Sequence, residues 1–205
     1  MGIVRKSLRT WRNFIRYLNR KVRYLGWLIH FVATVAVAFV CFALSSVFLI
    51  DVTTVDGESM EPTLSPDDRL LTLQLGRFFS ELLGAEYVPK RGEIIVFGKD
   101  GDNENLIIKR VVGLPEERVV IKNQTITIYN DEYPEGFEPD FNFGGELAAL
   151  SGAALDVYVK RGELFVLGDN LAVSADSRTN GNVLVEHVNG NLIIRTWPFS
   201  KFKLF

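Results

Sequence analysis

Apolar positions fall into two regimes along this chain. From Leu25 to Ile50, 26 consecutive residues carry no Lys, Arg, Asp or Glu, and only His30, Thr34, Ser45 and Ser46 interrupt the run. About 20 such residues let a helix cross roughly 30 Å of hydrocarbon, so residues 25–50 are expected to form one transmembrane helix. A secretory signal peptide has the same order of basic and apolar stretches, but its apolar core is only about 7–15 residues long. A retained anchor is therefore favoured over a cleaved leader.

Beyond residue 50 the pattern changes to short apolar runs separated by Gly, Pro, Asn and Asp. Residues 69–75 alternate, 93–97 (EIIVF) and 106–112 are continuous, and 119–129 alternates around Asn123 and Gln124. Runs at 157–159, 164–167, 183–188 and 192–197 continue the theme. Such spacing predicts a mainly β fold, a sandwich or barrel-like domain over 51–205. Residues 78–83 (FFSELL) read as a helical turn or surface loop. Residues 130–156 read as an insertion between strands, with a short helix at 146–155.

Charge gives these regimes a direction. The chain has 205 residues, 23 basic and 25 acidic, for a formal net charge of −2. Residues 1–24 hold eight basic side chains and no acid, whereas every acid lies at or after Asp51, where 15 basic residues face all 25 acids. Basic flanks stay on the cytoplasmic side, so the expected order is a cytoplasmic tail at 1–24, an anchor at 25–50 and an extracytoplasmic domain at 51–205. Residues 5–24 could also lie as a basic helix on anionic lipid, which leaves the topology unchanged. Tyr24 and Trp27 suit the inner interface, and His30 and Cys41 are read as passengers of the helix. The single cysteine excludes a disulfide scaffold or a Cys-based zinc site, and 47% apolar content excludes disorder. An acidic outer domain argues against nucleic-acid binding.

The outer domain has one histidine, His187, in a strand-like run with no nucleophile beside it. It is read as structural or surface, and no metal or cofactor is expected. The pairs Asp67-Asp68 and Glu116-Glu117 are read as solvated turns. Three other features offer chemistry. Ser59 lies in Gly57-Glu58-Ser59-Met60-Glu61-Pro62-Thr63-Leu64, just past a strand, where an ordinary turn and a rigidly presented nucleophile are both open readings. Lys109 interrupts an apolar strand, so it must either snorkel to water or be buried and lose its proton. Gly168-Asp169-Asn170 leads to Ser174, Asp176 and Arg178 in a polar loop after a strand, open to reading as a plain turn carrying a surface ion pair.

In order, Ser-Met-x-Pro-Thr-Leu, Arg-Gly-Glu-Ile-Ile-Val-Phe, Lys-Arg-Val-Val-Gly-Leu-Pro and Gly-Asp-Asn-x-x-x-Ser-x-Asp-Ser-Arg resemble the bacterial type I signal peptidases. The likeness runs from about residue 50 to 200 and includes the anchor. It implies a membrane-bound serine endopeptidase that cuts signal peptides from exported preproteins after small residues. By the resemblance Ser59 is the nucleophile, Lys109 the neutral general base, and Ser174 and Asp176 position the lysine, with Arg178 pairing Asp176. The Ser59 backbone N–H would hold the oxyanion; a hydroxyl donor found two residues earlier in some members is replaced here by Gly57. Shallow pockets for small side chains are expected from Val55, Gly57, Met60, Leu64, Ile107 and Ile108, of which Met60 and Ile108 could equally be plain core. Phe78, Phe79, Leu82 and Leu83 are expected to touch lipid. A Ser-Lys protease maturing a pilus or conjugation substrate, and a catalytically silent membrane-tethered β scaffold, are the competing readings.

Overall fold

The computed structural model describes residues 21–43, 50–74, 80, 84, 87–99, 102–141 and 154–205. The chain divides into two units, 1–47 and 48–205. In the first, helix α1 (Lys21–Ala43) has 23 residues, about 35 Å at 1.5 Å per residue and long enough to cross a membrane. It exposes apolar side chains along its length, and Trp27 stacks on Phe31. Residues 1–20 and 44–49 lie outside the described residues.

The second unit is built from antiparallel strands: β1 (Ile50–Thr54), β2 (Arg69–Leu73), β3 (Ile94–Lys99), β4 (Asp102–Gly113), β5 (Arg118–Lys122), β6 (Thr125–Tyr129), β7 (Leu155–Tyr158), β8 (Glu163–Leu167), β9 (Val183–Leu184), β10 (Val188–Trp197) and β11 (Lys203–Leu204). The larger sheet runs β1-β2-β10-β3-β4-β8-β9, with β11 also on β10, and the smaller runs β6-β5-β7. One short helix, α2 (Ser177–Asn180), follows β8.

The continuous apolar runs mark strands buried on both faces. Ile94 and Val96 of β3 enter a core with Val55, Met60, Leu64, Leu70, Ile108 and Leu192. Their neighbours Ile95 and Phe97 enter a separate core with Val111, Leu164 and Val166. Strand β8 divides likewise, sending Phe165 and Leu167 into a third core shared with Val119, Ile121 and Ile128 of the small sheet. Two-sided burial removes the polar alternation that a half-exposed strand would show. Gly113 fits between sheets because a Cβ there would sit 2.6 Å from Val119 Cγ2 and 2.9 Å from Phe165 Cβ.

Several expectations change. The run at 119–129 is two strands, β5 and β6, joined at Asn123 and Gln124 with φ of 50° and 66°; positive φ at both central residues is the tight hairpin turn that matches strand twist. The run at 183–188 is only partly strand, since Val185–His187 forms a 3₁₀ turn. Leu155, expected at the end of a helix, opens β7, and residues 142–153 lie outside the described residues. The same is true of Phe78, Phe79, Leu82 and Leu83.

The acidic pairs are not solvated turns. In each pair the first residue takes a positive φ, 69° for Asp67 and 68° for Glu116, and the chain reversal turns the second inward. Asp68 and Glu117 are only 1% and 5% exposed. Glu117 receives Arg91 Nη2 at 2.5 Å, the Leu114 backbone N–H at 2.8 Å and Asn130 Nδ2 at 2.9 Å. Glu117→Ala would strand all three donors and is expected to lower unfolding free energy by roughly 2–4 kcal/mol. Glu117→Gln, which keeps the shape and an acceptor, should cost less in the same denaturant titration.

Candidate active site

Ser59 sits on a loop whose ends are stitched together at the mouth of the large sheet. The Val55 N–H donates to Asp68 O at 2.9 Å and the Asp67 N–H to Val55 O at 3.0 Å. Between them the Leu64 N–H reaches Met60 O at 2.8 Å, a single helical turn that drives both side chains into the core. Gly57 has φ +95°, with open space where a Cβ would point; the backbone conformation, not crowding, favours glycine there. The result is a half-buried serine between two buried anchors, Val55 and Met60.

Lys109 comes from β4, 50 residues away, and its Nζ lies 2.8 Å from Ser59 Oγ. The amine also donates to Ile108 O at 2.9 Å and the residue is only 4% exposed. Strand β4 pairs with β8 only from Arg110 onward, so its 105–109 stretch is left to line a groove. That groove, about 830 Å³, runs between 53–60 and 105–109 and is closed by Val173 and Ala175. Burial pushes the Lys109 ammonium below its ordinary value near 10.5, while the carboxylates of Asp176 and Asp169 pull in the opposite direction.

Both carboxylates are already engaged. Asp169, fully buried, takes Arg110 in a two-pronged pair, Nε to Oδ1 at 2.7 Å and Nη2 to Oδ2 at 2.5 Å. Asp176 accepts from Arg178 Nε at 2.8 Å and Nη2 at 2.9 Å, and from the Gly168 N–H at 3.1 Å, while capping α2. It is buried, unlike a surface pair. Arg178 Nη2 also donates to Leu171 O and Ser174 O, drawing the loop closed. The Asn170 N–H then reaches Ser59 O at 3.0 Å. Gly168 makes this approach possible, because a Cβ would fall 2.2 Å from Ser174 Oγ and 2.4 Å from Ser59 O.

Ser59 and Lys109 thus meet on the groove wall; Asp176 and Arg178 are not among its lining residues, and Asp176 acts on the lysine as a nearby charge. The Ser174 hydroxyl is close by but, among the described residues, its buried Oγ has no hydrogen-bond partner; the lysine's contacts are Ser59 and Ile108. Val55, Gly57, Met60, Ile107 and Ile108 line the groove. Leu64 does not: it is fully buried beneath the floor, supporting Met60 and Ile108. Met60 and Ile108 are core and lining at once. Residue-by-residue reading did not single out Arg110 and Asp169, although both lie inside the quoted motifs; nor did it single out Ser177, whose Oγ accepts the Val166 N–H at 2.9 Å and fixes α2 to β8. Leu171 packs into the core, and Glu93 accepts from Lys90 N–H and Asn191. His187 is half-buried in its 3₁₀ turn, away from this groove.

Residues 28–197 match the protein family described as signal peptidase, peptidase S26. Signal peptidase IB of Staphylococcus aureus is 29% identical over 187 residues, 86% of this chain and 93% of its own length. Signal peptidase I of Bacillus licheniformis is 32% identical over 190 residues, covering 90% and 95%. A crystal structure of a signal peptidase I from Enterococcus faecalis is 28% identical, covers 51% of this chain and 96% of its own, and superposes with a TM-score of 0.36.

The lowered lysine pKa has a consequence for stability. An amine whose folded pKa lies below its unfolded one leaves the unfolded chain holding more protons between the two values, so stability rises with pH across that window. Below the window, folding carries the full cost of the buried amine. Lys109→Met is therefore expected to melt above the wild type at neutral pH, with the gap closing as pH approaches about 10.5. Thermal unfolding of the full chain in detergent at several pH values checks the trend.

Proposed function

The chain belongs to the signal peptidase S26 family, and we propose that it removes signal peptides from exported preproteins with Ser59 as nucleophile and Lys109 as general base. One observation carries the assignment of roles: a desolvated amine lies 2.8 Å from a serine hydroxyl on the wall of a groove of about 830 Å³. An amine above its pKa can take a proton; a protonated one cannot. Burial brings the pKa toward the working pH, where a base is effective.

In this reading Lys109 Nζ accepts the Ser59 proton as Oγ attacks the scissile carbonyl. The ammonium so formed gives its proton to the leaving amine, and the C–N bond breaks to leave an ester on Ser59. Lys109 then deprotonates a water, which attacks the ester, and Oγ leaves with the proton. The Ser59 backbone N–H faces the developing oxyanion, with no hydroxyl available from Gly57. Asp176 and Arg178 keep the 168–178 loop against the lysine, and Ser174 fills the space beside Gly168. The edge of β4 at 106–109, which β8 does not cover, would pair with the extended peptide, while Val55, Met60, Ile107 and Ile108 leave room for small side chains alone.

The enzyme is a membrane-bound serine protease of this family, and α1 is the segment long and apolar enough to hold it in the bilayer. We further place the basic amino end in the cytoplasm and the catalytic unit outside, on the charge asymmetry at the two ends of the apolar stretch. A preprotein whose signal peptide stays in the lipid would then present its cleavage site on the same side as Ser59.

Ser59→Ala and Lys109→Ala, purified in detergent and offered a preprotein, are each expected to lose cleavage by roughly 10²–10⁴-fold or more while keeping a wild-type circular dichroism spectrum. Retained cleavage in either variant would exclude the dyad.

A further inference from the structure

The loop that carries Ser59 is held from below by one buried guanidinium. Arg195 on β10 is 8% exposed, and its guanidinium makes three hydrogen bonds, to two backbone carbonyls and one carboxylate. Nη1 donates to Thr63 O at 2.8 Å and to Asp68 Oδ2 at 3.0 Å. Nε donates to Lys201 O at 2.8 Å, in the turn Phe199–Lys201 that follows the strand. Asp68, 1% exposed, also accepts the Ser65 N–H at 3.0 Å, and its own carbonyl receives the Val55 N–H. Lys201 Nζ reaches Ser65 Oγ at 3.3 Å from the other side.

These contacts enclose the nucleophile loop. Thr63 lies four residues past Ser59, between the buried anchors Met60 and Leu64. Asp68 closes the loop's far end onto Val55, one wall of the groove. The part-buried Thr63 carbonyl takes its donor from 132 residues away in sequence. A lysine would have to serve all three acceptors from one nitrogen, whereas the guanidinium reaches Lys201 O from Nε while Nη1 serves Thr63 O and Asp68 Oδ2.

We propose that Arg195, with Asp68, is a positioning pair that sets the height and orientation of the Ser59 loop against Lys109. Neither side chain lines the groove or touches the reacting atoms; both act through the backbone that carries them. The inference rests on Ser59 and Lys109 being the catalytic pair and extends it to what holds them at 2.8 Å. If the clamp loosens, the serine loop lifts and water reaches the lysine. Desolvation, the larger influence on Lys109, then weakens, leaving the pull of Asp176 and Asp169, and the amine returns toward its ordinary value.

The test uses the full chain in detergent with a preprotein substrate. Arg195→Lys keeps a positive charge over the buried Asp68 carboxylate but cannot reach all three acceptors. The pair Arg195→Met with Asp68→Asn removes the clamp without leaving a buried charge unpaired, and is read in its place should Arg195→Lys not fold. Rates are taken on the folded monodisperse fraction. The expected result is a fall in kcat of roughly 10–100-fold, as sub-ångström to 1 Å misplacement of reacting groups produces, with KM within about threefold. The rising limb of kcat/KM against pH should move to higher pH. An unchanged kcat, or a loss of kcat with an unmoved pH limb, overturns the inference and leaves Arg195 with a purely structural role. Ser59→Ala separates the two levels: activity in that variant removes the dyad itself, whereas an inactive Ser59→Ala beside a fully active Arg195→Lys removes the positioning pair alone.

Discussion

Everything in the catalytic unit is arranged around keeping one amine dry. Lys109 is buried beside two carboxylates, Asp169 and Asp176, either of which would favour its charged form. Burial prevails because both carboxylates are occupied by guanidinium groups of their own, Arg110 and Arg178, in two-pronged contact. An ion pair satisfied internally projects little charge onto a neighbour, so the acids brace the lysine's surroundings without reclaiming its proton.

The same device recurs as architecture. Arg91 with Glu117, Arg110 with Asp169 and Arg195 with Asp68 join residues 26, 59 and 127 positions apart. Arginine suits these places because its fork meets a carboxylate and a stray backbone carbonyl together: Arg91 also donates to Val112 O, Arg110 to Gly92 O and Arg195 to Thr63 O. The one cysteine, Cys41, lies in α1, so the catalytic unit is bound by apolar packing, strand pairing and these buried pairs. Glycine completes the assembly where a Cβ would not fit, at Gly168 against the Ser59 backbone and at Gly113 against side chains between the sheets.

Much of this was legible in the chain. The uninterrupted apolar stretch pointed to a helix long and apolar enough to cross a membrane, although the helix begins at Lys21 and Ile50 already belongs to β1, and the short runs split by turn residues pointed to strands, because both follow from local periodicity. Ser59 and Lys109 stood out through the order of four motifs, and the fold brings their side chains to 2.8 Å. What escaped notice depended on direction rather than composition. Asp67-Asp68 and Glu116-Glu117 look alike and polar, yet a positive φ at the first residue aims the second into the interior, where a remote arginine awaits. Leu64 looked like pocket lining because it lies close to Ser59 in the chain, but the helical turn from Met60 to Leu64 puts it one layer deeper.

The sequence by itself determined which residue types were available, where the chain turns, and that a basic tail and apolar span precede an acidic β-rich portion. Only the tertiary structure decided that a strand lysine meets a loop serine 50 residues away, that its proton is disfavoured, and which arginine answers which acid. The reason is physical. Periodicity and turn propensity are local and can be read from neighbours, whereas the charge state of a side chain is set by its access to water, and that access is created by segments that meet only on folding.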